Sequence, residues 1–210
     1  MTDKSKGTRG ISAFIVESSF PGFSVGKHEE KLGLHGSPTA EIVFTDCIVP
    51  KENLLGPEGK GFKIAMQTLD GGRIGIAAQA LGISQGAMED SMTFAKTRDK
   101  VGRPFAPSRN NTLVFPDVPT RIDVAARLTH TPPTLKTEGK PFTLDAATAK
   151  LFASEAAMKI TTKAVQIHGG YGYTKDYPVE RMMRDAKITE IYEGTSEIQR
   201  IVISGNILGK

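Results

Sequence analysis

The run Ile188-Thr189-Glu190-Ile191-Tyr192-Glu193-Gly194-Thr195-Ser196-Glu197-Ile198-Gln199-Arg200 sets a carboxylate in a tight, glycine-containing turn just ahead of a helix. That is a good seat for a general base. Gly194 leaves the backbone free to take an unusual turn conformation and lets a bound group come close. Ser196 is expected to cap the following helix, with Gln199 three residues on closing a capping box; the first amides of that helix would then face any nearby anion. The spacing by itself also fits a capped surface helix that carries incidental acids.

The elements that must hold this turn fall into two regimes, separated near Pro50 to Pro57. Before the break, β-branched and alternating segments such as Ile11 to Val16 and Ala40 to Phe44 are interrupted by Pro21-Gly22 and Gly36-Ser37-Pro38, the punctuation of an antiparallel β domain. After it, Gly59 to Arg98 carries apolar residues at helical spacing (Phe62, Met66, Leu69, Ile76, Ala80, Ile83, Ala87) with no interior proline, which predicts one long helix. Further helices are predicted from about Leu144 to Ile167, from Val179 to Arg184, and from Ser196 to Leu208, the last with Ile198, Ile201, Val202 and Leu208 as an apolar stripe. Long helices joined by short turns pack most simply as an antiparallel bundle. The expected architecture is mostly α: a partial β domain over residues 1–55 and a helical bundle over 56–210.

The composition allows a sizeable core, with 39% hydrophobic content in 210 residues. Cys47 stands alone, so an internal disulfide is excluded and a reducing compartment is expected, with the thiol as buried filler. A net charge of +4 suits a diphosphate-bearing ligand and is too evenly spread for nucleic acid. No apolar run is long enough to span a bilayer and the first residues lack a signal-peptide core, so no membrane partner and a cytoplasmic location are expected. His28, His35, His130 and His168 show no ligand spacing, so no metal site is expected.

The run at Glu193 is similar to the C-terminal signature of the acyl-CoA dehydrogenases, flavoenzymes that desaturate acyl-CoA thioesters between the α and β carbons. Four more stretches agree in order and spacing: Lys31 to Ser37 with Val43-Phe44-Thr45-Asp46, Gly59 to Met66, Leu69 to Ala77, and Gln166 to Tyr173. Five collinear matches cover most of the chain. The resemblance implies a C-terminal four-helix bundle preceded by part of a middle β domain, with FAD as cofactor. It makes Glu193 the base that removes the α-proton while the β-hydrogen leaves as hydride to flavin N5, and it gives the thioester carbonyl a hydrogen bond from the Glu193 N–H. It implies flavin contacts at Thr195, Ser196 and Glu197, and, across a subunit interface, at Arg98, Gln166, Ile167, His168, Gly169 and Gly170. Asp70, Gly71, Gly72, Arg73 and Gly194 become substrate-side residues. It further implies a short- or medium-chain acyl-CoA substrate in fatty acid β-oxidation, electron-transfer flavoprotein as acceptor, and a homo-oligomer (dimer or tetramer) or association with full-length relatives.

Two departures from the family pattern stand out. Pro107, Pro116, Pro119, Pro132 and Pro133 occupy a region where relatives have an unbroken helix. Because an interior proline removes a hydrogen bond and clashes with the preceding turn, Phe105 to Lys136 is expected to be largely non-helical, with one short helix from about Pro119 to Thr129. Relatives also carry an aromatic residue at the position of Val101 and a glutamine at that of Arg109. Since the chain matches the family from within its β domain onward, it is expected to hold FAD below stoichiometry unless a partner supplies the remaining contacts. The alternative reading is an inactive homologue that serves as a helical-bundle association module.

Overall fold

The computed structural model describes residues 1–100, 103–104 and 117–209. They form two compact units, Met1–Leu69 and Asp70–Lys210.

In the first unit, β1 (Ala13–Phe14) pairs antiparallel with β4 (Leu54–Leu55), and β2 (Phe23–His28) with β3 (Ala40–Phe44). The second pair is bulged between Val25 and His28 and is fastened by an edge-on contact of Phe23 and Phe44 at 5.7 Å. The Gly59 N–H donates to Ser12 Oγ and the Gly61 N–H to the Ile11 carbonyl, which ties the start of α1 (Gly61–Thr97) to the strands. Cys47 is half-buried rather than fully enclosed.

The second unit is a helical bundle. It comprises the rest of α1, α2 (Asp117–Thr137), α3 (Thr143–His168) and α4 (Val179–Ile188), followed by α5 (Ser196–Leu208). A short antiparallel pair, β5 (Asp99–Lys100) and β6 (Arg103–Pro104), follows α1. The core lies in two layers: Ala77, Ala80, Ala125, Ala149, Ala153, Ala157 and Ala186 in one, Ala87, Val118, Ala156, Ile160, Ala164 and Val179 in the other. Alanine at these positions removes side-chain bulk between helices and permits close axial approach. Serine and threonine enter this core because their hydroxyls donate one turn back: Ser84 to the Ala80 carbonyl, Ser91 to Ala87, Thr161 to Ala157. Among the described residues no helix is long and apolar enough to cross a membrane.

The expectation of a non-helical 105–136 fails over its second half. α2 is continuous from Asp117 to Thr137 and contains Pro132 and Pro133. Pro119 falls in the first turn, where its missing N–H would be unpaired anyway. Farther along, Val118, Ala125, Thr129 and Pro132 are buried on one face at helical spacing, so packing outweighs the local cost of the prolines. Residues 105–116, with Arg109, and Val101 lie outside the described residues.

Pro133 is exposed and adds no packing to offset its lost hydrogen bond. Pro133→Ala is therefore expected to raise the unfolding free energy by about 1–3 kcal/mol. Denaturant titration checks this; an unchanged midpoint would show that α2 carries no proline penalty.

α5 spans Ser196–Leu208 as expected. Its apolar stripe faces outward, with Ile198, Ile201 and Leu208 exposed, while the residues it buries are Ser196 and Gln199.

Candidate active site

The turn after α4 is built by backbone geometry that local sequence rarely adopts. Glu193 has φ +54° and Gly194 φ +91°, so two consecutive residues take left-handed conformations. A non-glycine residue there carries strain that neighbouring contacts must hold in place. The cap of α5 is Thr195, whose Oγ1 accepts from the Ile198 N–H at 3.3 Å; the expected cap Ser196 lies one position inside the helix. Its hydroxyl is buried without a hydrogen-bond partner. Gln199 closes no capping box either. Its Nε2 reaches back to the carbonyls of Glu193 (3.1 Å) and Gly194 (2.8 Å).

The Glu193 carboxylate lies against α1. A Cβ at Gly72 would stand 2.6 Å from Glu193 Cδ and would overlap Oε2, so the helix must present bare backbone at that point. Beside it Arg73 is 4% exposed, far from a surface helix charge. It pairs with Asp70 at 2.6 Å, and Asp70 accepts a second bond from Thr143 Oγ1 at 2.7 Å at the start of α3. Arg73 Nε has no partner. Tyr192 donates to Gln79, which fastens the residue before the turn to α1 as well. Among the described residues nothing accepts from the Glu193 N–H. The site thus offers a carboxylate, a free backbone donor two bonds from its Cβ, and a buried guanidinium, grouped where a polarised carbonyl compound could lose a proton.

Sequence reasoning missed Lys150. It is completely buried in α3 and donates from Nζ to the Gly194 carbonyl at 2.7 Å. Burial lowers its pKa to about 8; Arg73 pushes in the same direction, and Glu190, Glu193 and Glu197 oppose. The signal was present as a lysine among Ala146, Ala149, Ala153 and Ala157 on a buried helical face.

Arg98 and the 166–170 stretch form a second group at the far end of α1 and α3. The Arg98 guanidinium sits over the rings of Tyr171 (4.6 Å) and Phe94 (5.3 Å). His168 is buried and stacks on Phe94 at 4.2 Å, with Tyr177 closing the cluster. Its Nδ1 carries the proton, since its partner at 2.8 Å is the Ala164 carbonyl, and burial lowers its pKa. Ile167 is likewise buried, whereas Gln166, Gly169 and Gly170 are exposed at the helix end. Between Gly72 and Phe94 the helix rises about 33 Å at the usual rise per residue. One chain therefore does not bring the two groups together.

Residues 59–208 match the model of the acyl-CoA dehydrogenase C-terminal domain. The chain belongs to the acyl-CoA dehydrogenase family. It is 60% identical over 207 residues to the short-chain-specific acyl-CoA dehydrogenase of Clostridium acetobutylicum, covering 99% of this chain and 55% of that protein. The structure of butyryl-CoA dehydrogenase from Megasphaera elsdenii superposes with a TM-score of 0.97 at 56% identity, covering 99% of this chain and 54% of that one. A chain in the structure of the electron-transferring flavoprotein of Acidaminococcus fermentans superposes with a TM-score of 0.98 at 57% identity, over 100% of this chain and 55% of that one. The chain thus spans about half the length of the curated relatives it matches, and its mostly helical fold is that of the family's C-terminal domain.

Proposed function

We propose that the chain carries the base and part of the flavin seat of a short-chain acyl-CoA dehydrogenase, which converts a saturated acyl-CoA to the trans-2-enoyl-CoA. The observation that carries this reading is the Glu193 carboxylate held over the bare backbone of Gly72, with its own N–H free. A thioester α-proton becomes acidic when its carbonyl oxygen is hydrogen-bonded; the Glu193 N–H is the donor here, and the carboxylate of the same residue takes the proton. Putting both groups on one residue fixes their spacing, so the orientation of the base toward the α-carbon and of the donor toward the carbonyl is set by a single turn. Gly72 keeps this space clear, and the buried Arg73 is held in place beside it by its ion pair with Asp70. Short-chain specificity is supported by the relatives named above.

FAD fits the residues present. The Ser196 hydroxyl is an orphaned buried group in the first turn of α5, beside helix amides that face anions well, and Thr195 and Glu197 flank it. Arg98 and Gln166 to Gly170 would hold the flavin of a neighbouring copy, a reading supported by their distance from Gly72 along α1. The chemistry that FAD supplies when bound is acceptance of the β-hydrogen as hydride. The reading extends to a homo-oligomer acting on acyl-CoA thioesters in lipid β-oxidation, with electron-transferring flavoprotein as acceptor; the likeness to the A. fermentans chain supports that partner.

The test is anaerobic mixing of the FAD-loaded protein with butyryl-CoA. Loss of the flavin's visible absorbance, together with a product two hydrogen atoms lighter than the substrate, is expected. Persistent absorbance with unchanged thioester would refute the assignment.

A further inference from the structure

A lysine that is 0% exposed in the middle of a helix needs a reason, because an ammonium loses its hydration there. Lys150 spends its charge on one carbonyl, that of Gly194, at 2.7 Å. The same oxygen and its neighbour on Glu193 receive Gln199 Nε2 from α5, a side chain that is also fully buried. Two helices therefore reach into one turn and hold the two carbonyls that left-handed backbone geometry turns away from any regular ladder. Within this arrangement we infer that Lys150 is a positioning residue, whose ammonium pins the Glu193–Gly194 turn so that the carboxylate and N–H of Glu193 keep their common orientation. The inference rests on the reading of Glu193 as the base.

The charge state of Lys150 is the control point. The charged groups that act on it are Arg73 from α1, Glu190 and Glu193 from the turn segment, and Glu197 from α5; with burial they leave its pKa near 8. Below that pH the ammonium donates to Gly194. As pH rises through it the charge is lost, the bond weakens from charge-assisted to ordinary, and the turn is held by Gln199 with less support. An alkaline limb near pH 8 in the rate of proton removal is the consequence.

The test joins a variant to a spectroscopic readout on the native protein. Lys150→Met keeps an unbranched side chain and removes the donor. In the FAD-loaded protein with butyryl-CoA, kcat should drop about 100-fold, as expected for a misplaced reacting group, with KM altered less than threefold. The alkaline limb should vanish with it. Labelling glycine carbonyls with 13C and threonine nitrogens with 15N isolates two peptide bonds of this sequence, Gly7-Thr8 and Gly194-Thr195. The Gly194 carbonyl resonance should titrate near pH 8 in the native protein and stay flat in Lys150→Met, with Gly7 as the internal control. This readout needs no turnover, so it reports on Lys150 even if Glu193 proves not to be the base. A pH-independent Gly194 resonance in the native protein, or a Lys150→Met kcat within threefold of native, overturns the inference.

Discussion

Glu193→Gln is expected to reduce turnover by about 10²–10⁴-fold, the usual contribution of a positioned proton acceptor. The amide is nearly isosteric with the carboxylate, so the contact with Gly72 and the bonds from Lys150 and Gln199 to the backbone of the turn remain. Acyl-CoA should still bind, because the Glu193 N–H, the proposed donor to the thioester carbonyl, is untouched. The prediction is thus a loss confined to proton removal. Stopped-flow flavin bleaching measures it, with thermal unfolding as the control for folding. Bleaching at the native rate would take Glu193 out of the base role.

Gly72→Ala is expected to cost about 10²-fold in kcat without unfolding the protein. Alanine is the better helix former by roughly 0.5–1 kcal/mol, and Gly72 lies inside α1, so helix propensity alone favours the substitution. What the new Cβ meets is the end of the Glu193 side chain, a flexible group that can swing aside. The carboxylate then leaves its position over the helix, and a displacement of this size in a reacting group is enough for such a loss. Equal or higher melting temperature with depressed kcat is the expected pair of results. Native kcat in Gly72→Ala would show that the base does not work from the orientation described.

Much of the bundle was legible in the chain as written. Helical periodicity with no interior proline predicts the helix at Gly59 to Arg98, and α1 runs from Gly61 to Thr97. The same signal locates α3 and α5 to within a residue or two at most ends. These features are local: side chains three and four positions apart share a face whatever the rest of the molecule does. The glycine turn at Glu193 was legible for the same reason, since an acid and a glycine ahead of capping residues form a pattern of adjacent positions.

Other features depended on neighbours distant in sequence. Pro132 and Pro133 argue against a helix locally, yet α2 forms because the face at Val118, Ala125, Thr129 and Pro132 is buried in the bundle. Ser196 looks like the cap, but Thr195, in extended conformation just ahead of the helix, caps it and Ser196 takes the first helical position. The stripe on α5 looks like a core face and is exposed, because docking of the turn turns Gln199 inward instead. Nothing local shows that Gly72 faces the Glu193 carboxylate or that Lys150 reaches the Gly194 carbonyl: by spacing alone one is a helix glycine, the other a lysine on an alanine-rich helix face. The sequence by itself determined helices α1, α3 and α5, the turn and the acid within it. Only the tertiary structure decided that α1 offers bare backbone to that acid and α3 an ammonium to the next carbonyl, because close packing brings together residues that no short-range pattern relates.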